Sequence, residues 1–105
     1  MASAGRSYIL DVKRLPCEIC VRMFGVDPEP QTDAVSDAHH PPTGVGAGRK
    51  SEDENCIALC KEHHQGNTGL HGLGRKAFER AYRVTEEELT ESTRRRVTEL
   101  RERRV

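Results

Sequence analysis

The sequence predicts a small α+β domain: a two-stranded hairpin running into a short helix, fastened by a zinc knuckle and followed by further C-terminal helices. Three observations point there. Two close ligand pairs, Cys17-x-x-Cys20 and Cys60-x-x-His63, have the spacing of a structural zinc. Two short runs with strand character, Val35–His40 and Ile57–Leu59, are separated by proline- and glycine-rich sequence, as hairpin strands often are. Only 34% of the 105 residues are hydrophobic and none is tryptophan, which is thin for a core that stands unaided.

The elements follow in order. Residues 1–14 form an N-terminal segment whose polar start gives way at Tyr8, Ile9, Leu10 and Val12 to a short strand or a turn of helix. Pro16 interrupts it, and Cys17-Glu18-Ile19-Cys20 reads as the knuckle turn. Residues 27–36, proline-rich and acidic, read as a loop. The strand at 35–40 is halted by Pro41-Pro42. The glycines of Thr43–Gly48 read as a mobile connection, since no strand-to-helix context or Lys-Ser/Thr spacing marks a phosphate cradle.

Ile57-Ala58-Leu59 is the second strand, and Cys60–Gln65 has helical composition ending at Gly66. Arg75–Val84 places Ala77, Phe78, Ala81 and Tyr82 at helical spacing, so that face is predicted to be core. The last helix starts at a capping box, Thr85 with Glu88, and Glu86 and Glu87 suit its positive end. Leu89, Val97 and Leu100 give it a sparse apolar stripe. Glu91 with Arg95 and Glu99 with Arg103 sit at i,i+4, each pair contributing roughly 0.2–0.5 kcal/mol. The chain thus divides into residues 1–14, a zinc-stabilised domain at 15–82 and a charged helix at 83–105.

Formal net charge is zero, so global charge does not announce a nucleic-acid binder. Its distribution says more: residues 27–54 are acid-rich, whereas Arg94–Arg104 is arginine-rich. This pattern points to a cation-binding middle beside an anion-facing end. No stretch resembles a signal peptide or a membrane span, so the expectation is a cytoplasmic protein, of a bacterium or a phage-infected cell, without membrane association. In that setting the cysteines are better read as metal ligands than as disulfides.

Cys17, Cys20, Cys60 and His63 together make a closed Cys3His site, which leaves no position for water and so stabilises rather than catalyses. A rival assignment pairs Cys56 with Cys60, but strand-like sequence lies between them. A purely structural reading, with every Cys and His spent on folding zincs, also stands at this point. The favoured set leaves His39, His40, Asn55, His64 and His71 unassigned.

Those residues carry a resemblance. Ala38-His39-His40, Gly48-Arg49-Lys50, Ala58-Leu59-Cys60-Lys61-Glu62-His63-His64, Leu70-His71 and Arg75-Lys76-Ala77-Phe78, in that order, resemble small phage-type HNH endonucleases, the ββα-metal family. The likeness spans roughly residues 15–82. It implies a ββα-metal hairpin-plus-helix core gripping one divalent ion, Mg2+ or Mn2+, with a structural Zn2+ alongside and DNA as substrate. It implies further that His39 and His64 hold the catalytic metal, that His40 is the general base, and that Asn55 orients His40.

Some assignments stay open. Asp53 competes with Asn55 for the orienting role. His71 contacts phosphate, completes the metal site or is a packing residue. Lys50 is a phosphate contact or a solvated surface residue, and Arg94, Arg95 and Arg96 bind the DNA backbone or form a solvated face. The alternative to an enzyme is a non-catalytic zinc-binding nucleic-acid module on the same scaffold. Monomer and homodimer are equally compatible with the chain.

Overall fold

The computed structural model describes residues 4–25, 35–41 and 53–103. The expected loop at 27–36 is described only at Val35 and Ser36; residues 27–34, the expected connection at 43–48 and Lys50 lie outside the described residues. Within them the fold is small and α+β: six α-helices and one antiparallel pair of strands.

The expected strand or helical turn before Pro16 is a helix, α1 (Ala4–Lys13). Tyr8 and Val12, four residues apart, share its buried face, and Leu15 continues it, while Leu10 on the other side is 53% exposed. Asp11 is also buried and accepts a hydrogen bond from Arg101 Nε at 2.8 Å. The knuckle is the start of a second helix, α2 (Glu18–Phe24), with Cys17 at its N-cap and Gly25 closing it in the left-handed conformation at φ 67°.

Strand β1 (Asp37–His39) pairs antiparallel with β2 (Ile57–Leu59), with His39 opposite Ile57 and Asp37 opposite Leu59. The end of α1 fixes where β1 begins. Lys13 O accepts from the Val35 and Ser36 amides, and Ser36 Oγ donates to Leu15 O at 2.6 Å. A 3-10 turn, Asp53–Asn55, leads into β2.

All three β2 residues are fully buried, because the strand lies between two apolar clusters. Alternation sends Ile57 and Leu59 to one side, with Ile19, Leu70, Phe78, Val84 and Leu89. It sends Ala58, and Cys56 before it, to the other, with Tyr8, Val12, Leu15 and Val97. A strand covered on both faces reads as a continuous apolar run. Burying each large side chain contributes about 1.5–3 kcal/mol.

Helix α3 (Lys61–Gln65) follows β2 directly. A one-turn helix absent from the sequence expectation, α4 (Leu70–Leu73), comes next, then α5 (Arg75–Tyr82). In α5 Phe78 is fully buried, but Ala81 faces solvent, so its core stripe is narrower than expected. Helix α6 (Glu86–Arg103) has the expected capping box: Glu88 N donates to Thr85 Oγ1, and Thr85 N to Glu88 Oε1, both at 3.0 Å. Leu89 and Val97 belong to different clusters, so α6 spans the whole core rather than standing apart from it.

Candidate metal centres

Cys17 and Cys20 are presented by the first turn of α2, and Cys60 and His63 by the N-cap and first turn of α3. His63 Nδ1 lies 3.5 Å from Cys17 Sγ, 3.5 Å from Cys20 Sγ and 3.3 Å from Cys60 Sγ. Cys20 and Cys60 are 3.9 Å apart, sulfur to sulfur. A tetrahedron with zinc–sulfur bonds of about 2.3 Å and a zinc–nitrogen bond of about 2.0 Å has edges of roughly 3.5–3.8 Å. The four side chains therefore form a cluster able to hold an ion such as zinc.

Burial raises the Cys17 thiol above its ordinary pKa and pushes Cys20 up to about 12, the neighbouring cysteines adding to the rise at Cys20. Burial lowers His63, keeping the ring neutral and its Nδ1 lone pair available. Tyr82 closes the site from α5, its ring edge-on to His63 at 5.4 Å and its hydroxyl donating to Thr68 O. Cys56 sits on the other face of β2 among apolar side chains, so the rival pairing of Cys56 with Cys60 is not the one formed. No disulfide joins the cysteines.

A second cluster lies alongside. One nitrogen from each of His39, His64 and His71 falls within 4.8 Å of the other two. His39 comes from β1 and is buried, His64 from α3 is partly exposed, and His71 from α4 is exposed. His64 Nε2 and His71 Nε2 are 3.2 Å apart, close to the roughly 3.3 Å edge expected of two nitrogens on one zinc-sized ion. His71, open on sequence between a phosphate contact, a third ligand and a packing residue, stands with the ligand candidates.

Carboxylates hold two of these rings. His64 Nδ1 is 2.9 Å from Asp37 Oδ2, which leaves Nε2 pointing at His71. His39 Nε2 is 3.3 Å from Glu86 Oε2 at the start of α6, and both side chains are about 95% buried. The sequence gives neither acid a role at this site. Asp37 carried a usable signal, because it lies two residues before His39 and so on the same face of the strand. Glu86 carried none beyond its place at a helix N-terminus.

The remaining expected residues divide. His40 is exposed, one residue beyond the strand that carries His39. Asn55 Oδ1 accepts a hydrogen bond from Arg94, whose Nε also donates to Glu54 O at 3.0 Å. Arg94 thus clamps the 3-10 turn and pairs with Glu91 besides. Arg96 is 3.2 Å from Glu18, a carboxylate 1% exposed that also accepts from Ser92 and Thr93. Burial raises the pKa of Glu18 despite those donors. Two of the three arginines expected to face phosphate are therefore engaged inside the fold.

Arg95 is exposed and, among the described residues, forms no ion pair. It lines, with Arg22, Pro41 and Asn55, a cavity of about 650 Å³ between α2 and the N-terminal half of α6. The side chain of Asp53 lies outside what the structure describes. No described helix is long and apolar enough to cross a membrane. No protein-family model, curated protein or solved structure matches this chain.

Proposed function

We propose that this chain is a metal-dependent endonuclease of the HNH type that hydrolyses DNA phosphodiester bonds. The observation that carries the reading is the group His39, His64 and His71, set on a hairpin strand and the two helices that follow the hairpin, with His40 exposed and next to His39 in the chain. A folding scaffold needs only the Cys3His cluster. A second, partly exposed set of three imidazoles leaves coordination positions open, as catalytic sites do and closed structural sites do not.

In this reading the thiolate cluster holds a structural Zn2+. A divalent ion at the imidazole site would polarise the scissile phosphate and stabilise charge on the departing oxygen. His40 accepts the proton of the attacking water, for which an imidazole is suited near neutral pH. Asn55, whose Oδ1 accepts from Arg94, is the residue the resemblance implies for orienting His40. Mg2+ and Mn2+ remain the ions implied by the resemblance, but three imidazoles without a carboxylate suit Mn2+ better than Mg2+ and accept Zn2+, Co2+ or Ni2+ better still. Arg95 and Arg22 offer backbone contacts along the cavity beside Pro41.

The test is nicking of supercoiled plasmid in a series of divalent metals, with zinc content and thermal stability measured for each variant. His40→Ala should cut 10²–10⁴-fold more slowly while keeping both metals and its fold. His64→Ala should lose the second metal, with partial recovery in excess Mn2+. A zinc-replete wild-type protein that binds DNA and leaves it intact in every metal would favour the non-catalytic module instead.

A further inference from the structure

Glu86 is an unusual first residue for an arginine-rich helix, because its carboxylate points inward. Its side chain is 4% exposed, and it places Oε2 at 3.3 Å from His39 Nε2 and Oε1 at 3.9 Å from Arg75 Nε. Its backbone amide donates to Glu79 Oε2 at 2.8 Å. The capping box at Thr85 and Glu88 fixes the same turn. Burying a carboxylate is costly unless hydrogen bonds and charges compensate it, so a residue so placed calls for a use.

Glu86 lies outside the group of mutually close imidazole nitrogens, which contains only His39, His64 and His71. It is therefore placed to hold a ring rather than to ligate. We infer that Glu86 is a positioning residue for the second metal site: it accepts the Nε2–H of His39, fixes that tautomer, and leaves Nδ1 as the nitrogen offered to the ion. Asp37 does the complementary thing at His64, accepting from Nδ1 and leaving Nε2. The two rings thus present opposite nitrogens, each selected by a carboxylate. A metal-bound histidine commonly has its other nitrogen held this way, and loss of the partner typically costs 10–100-fold in metal affinity.

The consequence is that α6 is part of the site. Its capped first turn supplies an outer partner to a ligand on β1, 47 residues earlier in the chain. The inference rests on the metal site proposed above but not on cleavage.

The experiment is titration of Co2+ into full-length protein carrying one equivalent of zinc in its thiolate site, followed by visible absorption. Glu86→Gln keeps an acceptor but loses the charge, and Glu86→Ala loses both. Asp37→Asn is the comparator. The wild type should take up one cobalt. Glu86→Ala should bind it 10–100-fold more weakly and Glu86→Gln by a smaller factor, with the saturated spectrum unchanged in shape and zinc content intact. Unchanged affinity in both Glu86 variants would overturn the inference. So would an altered spectrum at saturation, which would make Glu86 a ligand. A wild type that takes up no cobalt would remove the site and the inference together. One that binds cobalt yet leaves DNA intact would remove the nuclease reading and leave the assignment of Glu86 standing.

Discussion

Removing zinc should unfold this protein, and the structure allows the size of the effect to be worked out. The thiolate cluster joins α2 to α3 across 40 residues of chain between Cys20 and Cys60. Treated as a crosslink, closing a loop of that length restricts the unfolded chain by about 4 kcal/mol. Ligand bonding comes on top, and structural zinc sites reach roughly 10–16 kcal/mol in total. A domain of this size has a net stability of only about 5–15 kcal/mol. The loop term alone, at about 4 °C or more per kcal/mol, lowers the melting temperature by at least about 15 °C. The assay is far-UV circular dichroism during heating, with and without a chelator. Cys17→Ser should reproduce the chelated behaviour. His64→Ala spares the thiolate site and should not. Cys56→Ser, a hydroxyl placed among apolar side chains, should cost about 1–3 kcal/mol with zinc content unchanged. A metal-free protein that melts within a few degrees of the zinc-bound one would refute the argument.

Other outcomes follow from the same geometry. Arg96→Gln leaves the buried Glu18 without its ion-pair partner and should destabilise by about 3 kcal/mol, read as a fall in melting temperature. Arg95→Gln should leave stability unchanged and reduce the slope of log affinity for DNA against log salt by about one; an unchanged slope would return Arg95 to solvent. Zinc uptake at neutral pH should release at least two protons, because Cys17 and Cys20 are protonated thiols until metal displaces them. The sign is fixed: affinity falls as pH falls, about tenfold per displaced proton per pH unit, and calorimetry in buffers of different ionisation enthalpy counts the protons. Gly69→Ala would press a methyl group against Glu62 O and the His63 backbone, costing about 1–3 kcal/mol and weakening both metal sites, which metal analysis would detect.

The parts readable from sequence are those set by spacing within one segment. The capping box is legible because two residues three positions apart define it. The two zinc pairs are legible because each sits on one turn. Strand β2 is legible because burial on both faces demands an unbroken apolar run. Helix α1 was ambiguous, since Tyr8, Ile9, Leu10 and Val12 fit a strand nearly as well as a turn of helix. Helix α4 was missed because it is four residues long and contains Gly72. Ala81 looked like core because spacing gives a face but not its width. Partners distant in the chain stayed invisible. The run Arg94-Arg95-Arg96 reads as uniform charge, yet Arg96 reaches Glu18 on α2, Arg94 reaches Asn55, and Arg95 alone is left facing out. Glu86 was hidden in the same way among the acids of a helix N-terminus.

Helix α3 is five residues long, and two neighbouring positions on it face different clusters: His63 turns toward sulfur, His64 toward imidazole. A single peptide bond separates the two clusters, so an ion held by the thiolates would also fix the backbone that carries His64. On the proposed two-metal reading, starving the protein of zinc would therefore weaken the imidazole site even with its own ion abundant.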